Sequence, residues 1–145
     1  MILLFAIVLI ATACASLPKQ VKEAKSFTEK GFIVQDNLRY EVKEFNFGAV
    51  VGDKSAPGGS YYNIRLEVSN VGSAKDTVPG DKIYLETKGA KLKPDIELDK
   101  SANGGPALSA IVEPGKKKML WLVFKTDAMP TDAKLYIKDS IIAMQ

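Results

Sequence analysis

The sequence predicts an all-β domain: two sheets packed face to face as a β-sandwich of about seven to eight strands. Three observations carry this. From Phe32 onward the apolar residues come in short runs that alternate with polar ones, the period of a half-buried strand. Clusters of Gly, Pro, Asn and Asp break the runs at turn-like spacing. No long stretch keeps the helical period, so the strands must bury their apolar faces against one another. At 145 residues the chain has room for one domain with a real core.

Residues 1–13, "MILLFAIVLIATA", form an apolar run too short to span a bilayer, which needs about 20 residues. Its length suits the apolar region of a signal peptide. The run ends in Ala11, Thr12 and Ala13 and leads directly into Cys14, the one cysteine of the chain. This resembles the lipobox of bacterial lipoproteins, which implies cleavage between Ala13 and Cys14 and a diacylglyceryl thioether on Cys14. Two features depart from that pattern: Ala11 stands where leucine is usual, and no Lys or Arg precedes the run. An ordinary cleaved signal peptide with a free thiol and a short uncleaved anchor are the alternatives. A lone exposed thiol in an oxidising compartment is a liability, which favours the lipidated form. Two or three acyl chains, at about 0.8 kcal/mol per buried methylene, anchor a protein stably. Ala15 and Ser16, with no Asp directly after Cys14, fit release to the outer membrane in a cell with two membranes. Residues 14–31 continue as a Lys/Glu-rich polar tether without a firm apolar stripe. Extended at about 3.1 Å per residue, it reaches roughly 50 Å.

The sandwich domain is expected over residues 32–145. In "LRYEVKEFNFGAVV", Leu38, Tyr40 and Val42 share one face, then Phe45 and Phe47 continue on the opposite parity. A phase slip at Glu44 indicates a bulge or a strand passing between sheets. "GDKSAPGGS" is a turn or loop. In "YYNIRLEVSN", Tyr62, Ile64, Leu66 and Val68 point inward and Asn63, Arg65, Glu67 and Ser69 outward. "NVGSAKDTVPGD" turns, and "KIYLETKGAKLKPD" reads as a strand pair hinged near Gly89. A short strand and a Pro114-Gly115 turn follow, proline presetting the turn and glycine accepting positive φ. "KMLWLVFKT" is apolar on both faces: Leu120, Leu122 and Phe124 on one, Met119, Trp121 and Val123 on the other. That implies a central strand covered on both sides, or a tryptophan at a partner surface. "AKLYIKDSIIAM" closes the domain.

Residues 38–138 resemble the telokin-like immunoglobulin-like domain of bacterial secreted and lipid-anchored proteins. The resemblance rests on Asn70 and Gly72 in an Asn-x-Gly turn, on Pro114 and Gly115 before a strand ending in Phe124, and on the final strand Leu135 to Ile137. It implies an immunoglobulin-like β-sandwich, with no core disulfide and no shared catalytic set.

The chemistry the sequence offers is sparse. There is no histidine, so the commonest general base and metal ligand is absent. Ser60, Ser69, Ser101 and Ser109 lie in no hydrolase motif, and the glycine-rich stretches sit between strands rather than before helices. An enzyme is not expected, nor a cofactor. The formal net charge of +3 is interleaved rather than concentrated, which argues against nucleic acid. Asp95, Glu97 and Asp99 read as one face of a strand, weak candidates for a cation and otherwise a solvated edge. Lys116, Lys117 and Lys118 are candidates to meet an anionic surface, or simply keep a turn soluble. Tyr61 and Trp121 are candidate aromatic contacts for a partner, or else core. The expected function is that of a non-catalytic, lipid-anchored envelope protein binding an envelope protein partner. The alternative is a lipoprotein binding glycan, lipid or cation.

Overall fold

A computed structural model describes residues 32–144. The expected signal peptide, Cys14 and the tether lie outside the described residues. The elements in chain order are β1 (Phe32–Gln35), β2 (Leu38–Gly48), β3 (Val50–Val51), β4 (Lys54–Ser55), β5 (Tyr61–Asn70) and β6 (Asp76–Thr77). A 3-10 turn at Gly80–Lys82 leads to β7 (Ile83–Thr87) and β8 (Ala90–Leu92), then to a helix, α1 (Ile96–Asn103). The chain ends with β9 (Ile111–Val112), β10 (Lys117–Lys125), β11 (Ala133–Ile137) and β12 (Ser140–Met144).

Two four-stranded antiparallel sheets form the layers, in the orders β1-β2-β5-β10 and β12-β11-β7-β8. The pairs β3-β4 and β6-β9 make two small ribbons beside them. The expected two-sheet sandwich is therefore the observed fold. Alternation places Tyr62, Ile64, Leu66 and Val68 of β5 and Leu120, Leu122 and Phe124 of β10 inward. They pack against Ile83, Leu85, Leu135, Ile137 and Ile142 of the second sheet. Burying each such side chain contributes about 1.5–3 kcal/mol.

The phase slip in β2 is a bulge. Val42 pairs with Leu66 and Glu44 with Arg65, leaving Lys43 as the extra residue. The bulge returns Phe45 and Phe47 to the inner face, and β2 stays in its own sheet. The β7–β8 hinge has Lys88 and Gly89 both at positive φ, 49° and 75°, as a tight two-residue hairpin turn requires. Gly115 is likewise at φ 70°, and the amide of Lys116 closes the turn onto the carbonyl of Glu113 at 3.0 Å.

Three expectations are corrected. The stretch "PDIELD" is not a strand: Asp95 is the N-cap of α1, and Gly104, at φ 69°, ends it. β10 is not central but lies at the edge of its sheet. Asn63, expected outside, is fully buried because the β3–β4 ribbon folds over it. Its amide donates to Asn46 Oδ1 at 2.7 Å and to the Val50 carbonyl at 2.9 Å, and its oxygen accepts the Gly52 amide at 2.8 Å.

Candidate functional site: the cavity under α1

An edge strand needs cover, and α1 supplies it in an unusual way. The outward main-chain groups of β10 are met by the helix as a neighbouring strand would meet them. Asn103 Oδ1 accepts the Trp121 amide at 2.7 Å, and Asn103 Nδ2 donates to the Trp121 carbonyl at 2.9 Å. Asp99 Oδ1 accepts the Val123 amide at 2.9 Å, and the Asp95 amide donates to the Val123 carbonyl at 2.8 Å. Asp99 and Asn103 stand one helical turn apart, so both reach the same strand edge. The helix itself is held by Asp95 Oδ1, which accepts the amides of Glu97 at 3.1 Å and Leu98 at 3.0 Å.

Between α1 and the 106–109 loop lies a cavity of about 410 Å³. Pro94, Ile96, Pro106, Ala107 and Leu108 make most of its wall apolar, and the buried Asp99 borders it. The far wall is fixed by the 3-10 turn: the Gly80 amide donates to the Leu108 carbonyl at 2.8 Å. A Cβ at Gly80 would fall 2.2 Å from that oxygen, so only glycine allows the approach. Asp81, Lys93 and Lys100 also line it. Lys100 is already paired with Glu97 at 2.9 Å.

Asp99 is 1 % exposed, and its Oδ2 has no hydrogen-bond partner. Burial pushes its carboxyl up to about 7; the Val123 amide opposes the shift and the charge of Asp95 adds to it. The sign of the stability effect follows from linkage. Unfolded, Asp99 ionises in the usual carboxylate range; folded, it holds its proton to about pH 7, so stability falls as pH rises between those values and the loss is complete above them. Asp99→Asn keeps an acceptor for Val123 and cannot ionise. Its stability is expected to match wild type near about pH 4 and to exceed it by about 1–3 kcal/mol near about pH 8. Thermal melts at the two pH values check this, and an effect of Asp99→Asn that does not change with pH would contradict it.

The other sequence candidates are scattered. The three acids do not share a strand face, because the helix turns them apart: Asp95 caps, Asp99 is buried, and Glu97 is exposed. Among the described residues no group of three His, Cys, Asp or Glu side chains could hold a metal. Trp121 is 8 % exposed, packed beneath α1 and the β3–β4 turn, where a Cβ at Gly52 would meet Ala102 at 3.2 Å and the indole at 3.3 Å. The Arg65 guanidinium lies 5.6 Å from its ring centroid. Trp121 is thus part of the packing under the helix and offers little surface to a partner. Tyr61 is half-buried against Gly59 and pairs with Lys125 at one end of β10, whereas Lys117 pairs with Ser69 at the other. At the rise of a strand these positions are about 26 Å apart. Lys116, Lys117 and Lys118 are exposed, and Lys117 bonds Glu67 at 3.1 Å. The sequence reasoning missed the cavity and, with it, Asn103. The one available signal was helical punctuation, Asp95 before the segment and Gly104 after it.

No family model matches the chain. No curated protein matches it. Solved structures do. A conserved hypothetical protein from Bacillus anthracis is similar at 14 % identity and TM-score 0.56, over 75 % of this chain and 93 % of that one. A candidate lipoprotein from Bacillus subtilis is similar at 14 % identity and TM-score 0.55, over 73 % of this chain and 32 % of that one. An uncharacterized β-sandwich protein from Clostridium difficile is similar at 13 % identity and TM-score 0.52, over 88 % of this chain and 98 % of that one. At such identities the likeness establishes the fold, a β-sandwich.

Proposed function

We propose that this chain is a non-catalytic protein, anchored by lipid on Cys14 to the outer side of a bacterial membrane, whose sandwich holds a small ligand under α1. The observation that carries the ligand reading is the cavity itself. Its volume falls within the range of about 300–1,000 Å³ usual for small-molecule sites, and predominantly apolar walls are their usual make-up. The absence of histidine and of any hydrolase or nucleotide motif supports a binding role. The lipobox-like segment and the telokin-like resemblance support the envelope location, as does a structural neighbour described as a candidate lipoprotein. Among the described residues no helix is long and apolar enough to cross a membrane.

Native mass spectrometry of the protein released gently from its own membranes tests the ligand reading: a reproducible small-molecule adduct is expected, and its absence would count against the reading. The anchor is tested separately. Cys14→Ser is expected to accumulate as an unprocessed precursor, and normal maturation of that variant would overturn lipidation.

A protein partner remains a second reading, favoured by one feature. The outward edge of β10 continues past α1 at Met119, which is 41 % exposed, beside Lys116, Lys117 and Lys118. An acidic strand of an envelope protein could add there. Reversing the charge of the three lysines is then expected to abolish crosslinking to that partner in cells, and unchanged crosslinking would dismiss the reading.

A further inference from the structure

We propose that the part of the β10 edge left bare by α1 binds an extended acidic segment of a partner protein, with an apolar side chain of that segment seated in the hollow beside Met119. The inference rests on the strand-addition reading above and names the segment's chemistry and its seat. In an antiparallel strand, successive residues direct their main-chain groups to the two sides in turn. Trp121 and Val123 direct theirs away from β5, where Asn103, Asp99 and Asp95 meet them. Lys117 and Met119 have the same parity in the register. Among the described residues no hydrogen bond occupies their main-chain groups on that side. The helix therefore covers only part of the edge and leaves two residues open to an added strand.

Beside these residues lies a hollow of about 290 Å³, lined by Pro106, Ala107, Ala110 and Leu120 as well as Lys118 and Met119. Pro106, Lys118 and Met119 are exposed and Ala110 is half-buried, so the hollow opens to solvent at the strand edge. Successive side chains of an added strand point to opposite faces, so alternate ones face the hollow. Two residues of open main chain offer few hydrogen bonds. A side-chain pocket is what makes so short an edge selective.

Charge selects the partner. Lys117 shares Glu67 with Lys43, at 3.1 and 3.7 Å. Among the described residues Lys116 and Lys118 enter no ion pair. A second copy adding at this edge would bring the same three lysines, and like charges repel. An acidic segment neutralises them instead. Its acids stand against Lys116, Lys117 and Lys118, and its apolar residue against Met119 and Leu120.

The test measures binding of fluorescent hexapeptides to the detergent-solubilised full chain, together with exchange of the Met119 amide by NMR. The probe is three glutamates joined to three valines, made in both orders. Its controls carry serine for valine, lysine for glutamate, or methyl groups on the backbone nitrogens. One order of the probe is expected to bind at least tenfold more tightly than the lysine and methylated controls, at least fivefold more tightly than the serine control, and to slow exchange at Met119. Equal binding of the serine control would overturn the apolar seat while strand addition stands. Equal binding of the methylated peptide, or unchanged exchange at Met119, would overturn strand addition and the inference with it, leaving a face that meets anionic lipid or polymer by charge alone. Failure of both orders to bind would overturn both as well.

Discussion

Asn70→Ala is expected to lower the stability of the domain by about 3–4 kcal/mol. Asn70 ends β5 and is only 3 % exposed. Its amide donates to the carbonyls of Val112 at 2.7 Å and Ala74 at 2.8 Å, and its oxygen accepts the Gly72 amide at 2.9 Å. Its main chain also holds the Pro114-Gly115 turn, through the Lys116 carbonyl at 2.9 Å and the Gly115 amide at 3.1 Å. One side chain therefore ties the end of β5 to the loop before β6 and to β9. Alanine would remove three side-chain bonds at a buried junction, those to the Val112 and Ala74 carbonyls and from the Gly72 amide, each contributing about 0.5–1.5 kcal/mol. For a domain of this size that corresponds to a fall in Tm of about 12–16 °C, with the denaturant m-value unchanged. Asn70→Asp should not rescue it, because a carboxylate cannot donate to Val112 and Ala74. A loss under about 1 kcal/mol in either variant would show that this junction is not the clamp the hydrogen bonds describe.

Asn103→Ala is the second large effect, and it is more local. The Asn103 amide carries three bonds: two to Trp121 and one, at 2.8 Å, from its nitrogen to the Asp99 carbonyl. Removing them strips the end of α1 from β10. The expected loss is about 2–3 kcal/mol, smaller than at Asn70 because Asn103 is partly exposed and water can reach the freed groups. The discriminating readout is Trp121, the single tryptophan of the chain, which α1 covers. Its emission should move to longer wavelength in the folded variant while the far-ultraviolet signal of the sheets stays. Unchanged emission would mean that α1 is held by other contacts.

The helix is also where sequence reading and structure part. β5 was legible because four inward apolar residues alternate with polar ones over an uninterrupted run. The bulge in β2 was legible as a change of parity, and the turns at Gly89 and Gly115 as residues that accept positive φ. Alternation misled at "IELD", where Ile96 and Leu98 mimic a strand although Asp95 and Gly104 punctuate a helix. Eight residues are too few for a helical period to outweigh that alternation.

The same omission distorts the reading of β10. Two apolar faces suggest a strand in the middle of its sheet, yet β10 is an edge strand whose outer face is covered by a helix and a ribbon. Trp121 and Asn63 are buried by segments distant from them in the chain, which no local pattern announces. The candidate site shares this fate. Asp99 was visible as an acid but assigned to a solvated edge, and Asn103 carried no signal apart from its place before Gly104. Its role depends on standing one turn from Asp99 beside an open strand edge, a relation that only tertiary structure creates.

The most direct measurement is hydrogen–deuterium exchange of the full chain with and without cyclohexanol, a small probe with an apolar body suited to the cavity walls, read segment by segment. Added protection is expected in α1, in the 106–109 loop and at the Trp121 and Val123 amides, with β7, β11 and β12 unchanged. No change in α1 and its loop, or protection confined to the second sheet, would contradict the claim that the cavity under α1 is the functional site.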